Sequence, residues 1–415
     1  MSHARLMLGR DPAVRRWLPL IVGLAVGIRA ALGWMHPFWL PDSFDYDALA
    51  RAIAAHQPYV TGGCVASRMP GYPVFLAALY ALGGGGGAVM VVQALLGGMI
   101  VVLTYIIGKR LGAASALVAA LLAALDPLSI GFSAALLSET PFTLCLMGAL
   151  WLCLRIAGGP GTPGGGTRPA DEGVGTTWRL WIALGLLWGI GVYFRASALW
   201  AIIPLALATS LLAGSPRRRV AASVIPLALV LALLSPWLIR NYLLFHSGPL
   251  RLTTLEGISL YEAVYPGADG GPKQDKIALP EEMKALNEAQ RNDEWSRRAW
   301  ACVRADPLRL AHLAVIKIGR TWSPWFNAAD FSAGPIQWGM TLWNVPLLAL
   351  ALLGLVMRMR RDVRILLLIP IGYFTAVHAL FLGSVRYRTP LMPLVCLLAA
   401  HGIVQALKWP RRGQR

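Results

Sequence analysis

The chain has 415 residues, of which 56% are hydrophobic and 14% are charged, and its formal net charge is +18. The charged share is well below the roughly 25% of a soluble domain, so a water-soluble fold would need a very large core with very little polar surface. The basic excess does not indicate a nucleic-acid partner, because it is spread over short segments between apolar runs, where it contacts anionic lipid.

Apolar runs that approach the roughly 20 residues needed to cross a bilayer recur along the chain. They predict an all-α polytopic membrane protein, a single transmembrane domain over residues 1–415 with about 10 spans and a range of about 9 to 12. The first run is too long for a signal-peptide core and is predicted to be a retained helix. The predicted spans are 17–35, 88–107, 112–125, 140–157, 179–194, 197–213, 220–239, 337–357, 365–383 and 390–407.

Three polar segments between the spans are long enough to have structure or function of their own. Residues 36–85 form the first outer loop, with an amphipathic helix at Ser43–Ala55 and an apolar stretch, Pro73–Leu82, that is too short to cross and is expected at the interface. Residues 158–177 are a Gly/Pro-rich inner linker. Residues 240–335 form a large outer loop with predicted helices at Glu281–Cys302 and Pro307–Arg320.

The charge of these segments predicts the orientation of the chain. Segments assigned to the inside hold 20 Lys+Arg and 4 Asp+Glu, whereas those assigned to the outside hold 17 and 16. By the positive-inside rule, both termini are expected to be cytoplasmic and the outer loops are expected to face the opposite side of the membrane.

Ionisable residues from five loops or helix ends are predicted to meet at the outer face. Charges at membrane depth usually line a cavity or pair with one another, so this convergence indicates one site. The set is Asp42, Asp45, Arg68, Glu139, Arg195, Arg240, Arg386 and Arg388.

Asp42 and Asp45 are three residues apart and share a helical face with Tyr46. A partly desolvated carboxylate beside arginines can act as a general base. Two simpler roles remain open at this point, because Asp42 follows Pro41 and could cap its helix, and Glu139 suits the positive end of the next one.

The arginines also allow two interpretations. Arg68 can hold a phosphate through its planar guanidinium, or it can extend to lipid headgroups as interfacial arginines commonly do. Arg386 and Arg388 lie in one short outer turn, against the orientation bias, so an anionic partner is required there. A lipid-linked phosphate, Glu139 or Asp42 would satisfy that requirement.

No cofactor is predicted. The histidines and cysteines lack metal-ligand spacing, and a dependence on a divalent metal is left open without support from the sequence. The absence of a phosphate-binding loop and of a Gly-rich dinucleotide motif argues against an ATP-driven pump and a dinucleotide enzyme. Cys64 and Cys302 both map outside and could pair in an oxidising compartment.

The order of short motifs along the chain resembles that of a known group. The motifs are Asp42-Ser43-Phe44-Asp45-Tyr46, Arg68-Met69-Pro70-Gly71-Tyr72-Pro73, Ser138-Glu139, Pro236-Trp237-Leu238-Ile239-Arg240-Asn241-Tyr242 and Arg386-Tyr387-Arg388-Thr389-Pro390. From about residue 17 to 407 the chain resembles the bacterial membrane glycosyltransferases of the GT-C superfamily, in particular the protein-mannosyltransferase and aminoarabinose-transferase-like group. Each motif is weak alone, and the ordered set is what carries the likeness.

The resemblance implies an inverting glycosyltransferase that uses a polyprenyl-phosphate-linked sugar at the periplasmic face. The acceptor would be a lipid, a glycan or a protein. The likeness puts the catalytic carboxylate at Asp42, with Asp45 as the fallback, either as a base or only to orient a hydroxyl. The donor phosphate or substrate would be held by Arg68, Tyr72, Glu139, Arg195, Arg240, Asn241, Arg386 and Arg388.

The alternative is a transporter or flippase for a lipid-linked glycan. Such a protein would carry polar residues along a path through the bilayer. Here the charges of the predicted spans stop in the outer third, apart from Arg29. The sequence therefore favours the enzyme.

Overall fold

The computed structural model describes residues 12–157, 177–212, 216–246, 250–327 and 334–412, and within these ranges the chain forms α-helices joined by short 3-10 turns and loops. The predicted inner linker, 158–177, lies almost wholly outside the described residues. In chain order the helices are α1 Pro12–Met35, α2 Pro41–Ala54, α3 Gly71–Ala81, α4 Gly86–Gly108, α5 Ala113–Leu125, α6 Pro127–Ser133, α7 Glu139–Ala157, α8 Thr177–Phe194, α9 Ile202–Leu212, α10 Pro216–Phe245, α11 Glu256–Val264, α12 Glu281–Lys284, α13 Glu288–Ala305, α14 Pro307–Thr321, α15 Pro335–Val356, α16 Arg361–Leu380 and α17 Met392–Arg412.

The all-α polytopic class predicted from the sequence is confirmed. Seven described helices are long and apolar enough to cross a bilayer, and an eighth span exists if α5 and α6, which meet at a 48° bend, are counted as one. The bend falls at Asp126, whose side chain accepts from the Ser129 backbone N–H and so caps α6. Two shorter apolar helices, over Trp178–Phe194 and Ala196–Leu212, account for the remainder of the predicted ten.

The core of the bundle is formed by α7 and α17, which are the most buried of the candidate spans. α7 packs between α4 and α8, and α17 packs between α5 and α15. Gly354 of α15 faces the Leu398 carbonyl of α17, and a Cβ at Gly354 would overlap that oxygen. Small residues at such crossings let two backbones approach closely. In a bilayer the hydrophobic effect does not favour helix association, so this close van der Waals packing stabilises the pair.

The sequence predicts that successive segments between spans lie alternately inside and outside. In the structure, residues at or near segments assigned to the same side contact each other. Among the predicted inner segments, Arg110 donates to the Leu154 carbonyl. Among the predicted outer ones, a bridge joins Phe38 to Ala135, and the Gly383 N–H donates to the Gly270 carbonyl. These contacts agree with the predicted alternation at the points where they occur.

The large loop folds into four helices, α11–α14, with two small apolar clusters around Ala263 and Trp295. The single helix predicted over 281–302 is wrong in its bounds, because α12 ends at Lys284 and α13 runs from Glu288 to Ala305. The break is a capping box, in which Asn287 accepts from the Gln290 N–H and the Gln290 side chain accepts from the Asn287 N–H. Cys64 and Cys302 are both free thiols, so the pairing considered above is not formed.

Candidate active site

The first turn of α2 presents Asp42 to the site. Pro41 starts the helix, and the Leu40 N–H is held by the Ser43 hydroxyl at 3.1 Å, so the cap does not use Asp42. The Asp42 side chain instead forms two ion pairs, with Arg68 at 2.6 Å and with Arg386 at 2.7 Å. The capping interpretation of Asp42 is therefore wrong, and its carboxylate is available to the site.

A tight hairpin brings Arg68 to α2. Thr61 and Cys64 exchange backbone hydrogen bonds, and both residues between them, Gly62 and Gly63, have positive φ. Two such residues form the turn type that favours glycine at both central positions. The hairpin is anchored on Asp45, whose carboxylate accepts from the Thr61 hydroxyl at 3.1 Å and from Arg68 at 2.8 Å.

Arg386 joins two carboxylates from distant parts of the chain. Its Nη1 donates to Asp42 at 2.7 Å, and its Nε donates to Glu139 at 2.6 Å. The Glu139 side chain is only 2% exposed and lies at the N-terminal end of α7, where the helix dipole also favours a negative charge. The anionic partner required beside Arg386 is thus supplied by Asp42 and Glu139 in the unliganded protein.

Arg195 completes the cluster from the end of α8. Its guanidinium lies 4.0 Å from Glu139 and over the rings of Phe142 and Tyr387, at 5.9 and 5.6 Å from their centroids. Tyr387 stacks on His378 with ring centroids 4.4 Å apart. Aromatic faces hold a guanidinium by cation–π attraction, so these rings fix Arg195 without neutralising it.

The pKa values of Asp42 and Arg68 are both shifted in the direction that favours the charged form. Burial raises the pKa of Asp42, but the charges of Arg386 and Arg68 outweigh burial and keep that pKa below its ordinary value of 3.8. Burial also lowers the pKa of Arg68, and the charge of Asp42 outweighs it and raises that pKa above its ordinary value. Asp42 is therefore an ionised carboxylate at neutral pH.

Six of the residues predicted to form a site are brought together. They contribute three carboxylates and three guanidinium groups, so their formal charges cancel. They are Asp42, Asp45, Arg68, Glu139, Arg195 and Arg386.

Four other predicted residues are not direct members of this cluster. Arg240 stacks on Tyr59, whose hydroxyl donates to the Arg68 carbonyl, so Arg240 lies one contact away. Tyr72 is fully buried, donates to Gln93 and packs under Tyr46. The buried Asn241 amide donates to the Arg251 carbonyl and so ties α10 to the large loop.

Arg388 is the fourth, and its side chain is fully buried. It donates to the Ser323 carbonyl, away from Asp42. Arg386 and Arg388 lie two apart on a 3-10 turn with three residues per turn, so their side chains diverge. In an extended backbone, the side chains of Arg386 and Arg388 would have pointed to the same face. The sequence did not rule out that conformation.

The sequence did not reveal the support that the large loop gives to the hairpin. Glu288 of α13 accepts from the Val65 N–H at 2.6 Å, from the Ala66 N–H at 3.1 Å and from the Thr254 hydroxyl. Glu288 lies more than 220 positions from Val65 and Ala66 in the chain, and no local pattern links them. His378 was missed for the same reason, since its role depends on stacking with Tyr387.

The geometry can bind an anion and accept a proton at adjacent points. Arg68, Arg195 and Arg386 lie beside carboxylates at the ends of several helices. Asp42 is 22% exposed. Within the described part of the chain, no group of three or more His, Cys, Asp or Glu side chains is placed to hold a metal ion.

Comparison with known proteins gives a family model that matches part of the chain and solved structures that match its fold. The family model for dolichyl-phosphate-mannose-protein mannosyltransferase matches residues 67–161. The archaeal oligosaccharyltransferase AglB from Archaeoglobus fulgidus, in complex with an inhibitory peptide and a dolichol-phosphate, superposes with a TM-score of 0.57 at 12% identity, covering 97% of this chain and 52% of that chain. The chain has the GT-C fold.

A second GT-C structure of the Archaeoglobus fulgidus oligosaccharyltransferase, in the apo form, gives a TM-score of 0.56 at 13% identity over 96% of this chain and 52% of that one. ArnT from Cupriavidus metallidurans bound to undecaprenyl phosphate gives 0.43 at 14% identity, over 94% and 78%. The chain spans about half the length of the archaeal enzymes. A search of curated protein sequences gave no match. The predicted resemblance to the GT-C superfamily is confirmed.

Proposed function

We propose that this protein is an inverting glycosyltransferase that transfers a sugar from a polyprenyl-phosphate donor to an acceptor hydroxyl at the periplasmic face of a bacterial inner membrane. The observation that carries the proposal is the placement of Asp42 between Arg68 and Arg386, at 2.6 and 2.7 Å. A base beside two phosphate-binding groups is what a single displacement at a sugar phosphate needs. The dolichol-phosphate in the AglB complex supports the choice of donor.

Donor binding would activate Asp42. Arg68 and Arg386 are paired with carboxylates in the structure, so a lipid-linked phosphate must compete with Asp42 for both guanidinium groups. Once the phosphate holds these guanidinium groups, Asp42 loses the charges that lower its pKa while it stays partly buried. It then becomes a stronger base at the time when the donor is in place.

The reaction balances as one displacement. The acceptor oxygen forms a bond to the anomeric carbon while the bond from that carbon to the phosphate oxygen breaks. Asp42 takes the acceptor proton, and the polyprenyl phosphate leaves with the electron pair. Because there is one attack on one carbon, the configuration inverts, and the arginines stabilise the negative charge on the departing phosphate.

The decisive experiment measures sugar transfer by the full chain in lipid nanodiscs, with a panel of polyprenyl-phosphate sugars and a bacterial envelope extract as acceptor. We expect Asp42→Asn to lower transfer by a factor of about 10² to 10⁴, the usual contribution of a general base, while thermal unfolding stays cooperative. Asp45→Asn is expected to act more weakly, because Asp45 contacts Arg68 and Thr61 and not Arg386.

The matched control is Asp47→Asn on the same helix. Asp47 forms an ordinary i,i+4 ion pair with the exposed Arg51 at 2.7 Å and should tolerate the change. Unchanged transfer in both Asp42→Asn and Asp45→Asn would remove the mechanism. Donor movement across the bilayer without transfer would favour a flippase instead.

A further inference from the structure

A cavity of about 210 Å³ lies at the end of the bundle opposite the candidate active site. It is formed where α4 and α7 end, and both helices are candidate membrane spans. Glu139 begins α7 and Arg155 lies in its last turn, so roughly 24 Å of helix separates the candidate active site from the cavity. The cavity is therefore a separate feature, on the side that the charge bias predicts to be the cytoplasm. Its lining residues are Ile106, Ile107, Lys109, Arg110, Trp151, Leu154 and Arg155.

The polar part of the lining is entirely basic. Lys109, Arg110 and Arg155 contribute three cations, and within the described part of the chain no Asp or Glu lines the cavity. The orientation of the spans accounts for basic residues at this end of the bundle, but it does not require three of them to meet around one cavity. Converging cations of this kind suit a phosphate, whose oxygens accept hydrogen bonds from guanidinium and ammonium groups.

Two of the basic side chains are held in position by neighbouring groups. Arg110 donates from Nη2 to the Leu154 carbonyl at 3.3 Å, near the end of α7. This bond uses one of the five N–H donors of the guanidinium. The Arg155 guanidinium lies 5.6 Å from the centroid of the Trp151 ring, which orients it by cation–π attraction. Both arginines are thus positioned before a ligand binds, which lowers the entropy that binding costs.

The surroundings of Arg110 disfavour its positive charge. Burial lowers the pKa of Arg110 below its ordinary value, and the charge of Arg360 lowers that pKa further. Asp362 acts in the opposite direction, but Arg360 already holds its carboxylate through hydrogen bonds of 3.1 and 2.8 Å. An anion bound in the cavity would offset this unfavourable effect on Arg110.

The rest of the lining is apolar and belongs to the membrane-spanning helices. Ile106 and Ile107 lie in the last turn of α4, and Leu154 lies near the end of α7. Trp151 is half-buried, and tryptophan is enriched where the hydrocarbon of a bilayer meets the headgroups. A free phosphate ion gains nothing from this apolar surface. The glycerol region of a phospholipid, which lies between the phosphate and the acyl chains, can contact it.

The size of the cavity also favours part of a lipid over a whole soluble ligand. Sites that enclose a small molecule have volumes of roughly 300–1,000 Å³, so this cavity suits one group of a ligand whose remainder lies outside. A phospholipid meets that condition, because its acyl chains stay in the bilayer. The polyprenyl-phosphate donor of the proposed reaction is needed beside Asp42, at the other end of the bundle, and is therefore not the expected ligand here.

We propose that this cavity binds the phosphate of one anionic phospholipid from the leaflet opposite the candidate active site. Lys109, Arg110 and Arg155 hold the phosphate oxygens, and Ile106 and Trp151 contact the glycerol region. The site goes beyond the proposed transfer function and does not depend on it. Because the cavity exists only when the ends of α4 and α7 are packed together, the bound lipid stabilises the folded chain.

Native mass spectrometry of the full chain tests the site directly. The protein is stripped of lipid in a neutral detergent and titrated with phosphatidylglycerol, and the fraction that retains one lipid gives the Kd of the first binding event. The matched lipid is phosphatidylethanolamine, which carries the same phosphate beside an ammonium group. We expect phosphatidylglycerol to bind at least about fivefold more tightly, because the three cations attract its net negative charge.

Lys109→Gln is the main variant, because Lys109 is exposed and its replacement should leave folding intact. We expect the Kd for phosphatidylglycerol to rise about fivefold, the effect of one basic residue near an anionic lipid. Arg110→Gln should act similarly, and Arg110→Lys less, since it keeps the charge. The matched control is Arg361→Gln, which removes an exposed arginine at the same end of the bundle that does not line the cavity, and its Kd should change by less than about twofold.

Thermal unfolding gives a second measurement of the same binding. Phosphatidylglycerol should raise the Tm of the wild type and of Arg361→Gln to the same extent, because a ligand that binds only the folded state stabilises it. The rise should be smaller in Lys109→Gln at the same lipid concentration.

Equal binding of the two phospholipids would overturn the inference, and so would equal losses of affinity in Lys109→Gln and Arg361→Gln, because either result indicates diffuse attraction and no defined site. Displacement of phosphatidylglycerol by an equal concentration of inorganic phosphate would replace the lipid site with a free-anion site. Tighter binding of a polyprenyl phosphate, weakened by Lys109→Gln, would assign the cavity to the donor lipid instead.

Discussion

At the residue scale, the site depends on how buried or half-buried charges are paired. Arg386 is 19% exposed and bridges Asp42 with Glu139, and the only other cation near Glu139 in the described structure is Arg195 at 4.0 Å. The charge of each of these residues is therefore compensated only while its partners are present. Breaking a desolvated pair costs far more than breaking a surface pair, because a charge remains buried without compensation.

The substitution Arg386→Gln should accordingly destabilise the protein by up to about 3–5 kcal/mol, because it leaves Glu139 without its close partner. Thermal unfolding in detergent, followed by tryptophan fluorescence, would show a clear fall in Tm. The control, Arg51→Gln, removes an exposed i,i+4 pair and should change stability by less than about 0.5 kcal/mol. Equal Tm values for both variants would contradict the bridging role.

The pH dependence of transfer tests the ionisation of Asp42. The pKa of Asp42 lies below 3.8 because of Arg386 and Arg68, so the stability gained from these pairs is present above the unfolded pKa and is lost as pH falls through the folded one. At donor concentrations far below KM, initial rates report the free enzyme, so the wild type should show no acid limb from Asp42 between pH 5 and neutrality. In Arg68→Gln the burial of Asp42 is opposed by Arg386 alone, so the acid limb should move to higher pH.

Initial rates of sugar transfer across the pH range, with product measured by mass spectrometry, would show this shift. Arg51→Gln serves again as the control and should keep the wild-type profile, since Arg51 pairs with Asp47 outside the cluster. An acid limb at the same pH in wild type and Arg68→Gln would mean that Arg68 does not set the charge of Asp42.

At the scale of single elements, the position of the hairpin and α3 depends on close backbone contact. A Cβ added at Gly71, at the start of α3, would lie 2.5 Å from the Tyr193 carbonyl carbon and oxygen at the end of α8. These are backbone atoms and cannot rotate away. Gly71 therefore lets α3 dock beside the turn that carries Arg195.

Gly71→Ala should push α3 away from α8 and destabilise the protein by about 1–3 kcal/mol, the usual cost of overpacking. It should also lower transfer, since Arg68 lies three residues before the contact. Gly23→Ala in α1 is the matched control, because a Cβ there meets no atom within 4 Å. If the two variants unfold at the same temperature, the close approach does not hold α3 in place.

At the scale of the whole molecule, the alternation of spans decides which compartment the site faces. The hairpin, the start of α7, the end of α8, the large loop and the turn carrying Arg386 all contact one another. They must therefore share one side of the membrane. The charge bias predicts that this side is the periplasm.

Cysteine labelling in intact cells tests this orientation. In a background with Cys64→Ser and Cys302→Ser, a membrane-impermeant maleimide should label Lys276→Cys in the large loop and leave Lys408→Cys in α17 unlabelled until the cells are opened. Both positions are exposed, so access is set by compartment and not by burial. The reverse pattern would place the site in the cytoplasm and contradict the use of a donor at the outer face.

The sequence by itself determined the class and the approximate spans, because hydropathy and charge bias are local properties that a bilayer imposes on each segment. It also nominated most of the residues that meet in the candidate site. The predicted end of the span over 112–125 coincides with the end of α5 at Leu125. Asp42, Arg68, Glu139 and Arg386 could be nominated together because alternation puts their loops on one side.

Only the tertiary structure decided which nominated residues meet. A 3-10 turn sends Arg386 to Asp42 and Arg388 into the interior, and the choice between 3-10 and extended backbone there depends on packing. The support of the hairpin by Glu288 joins segments more than 220 residues apart. Such contacts are fixed by how the helices pack, and no pattern within a short stretch of sequence specifies them.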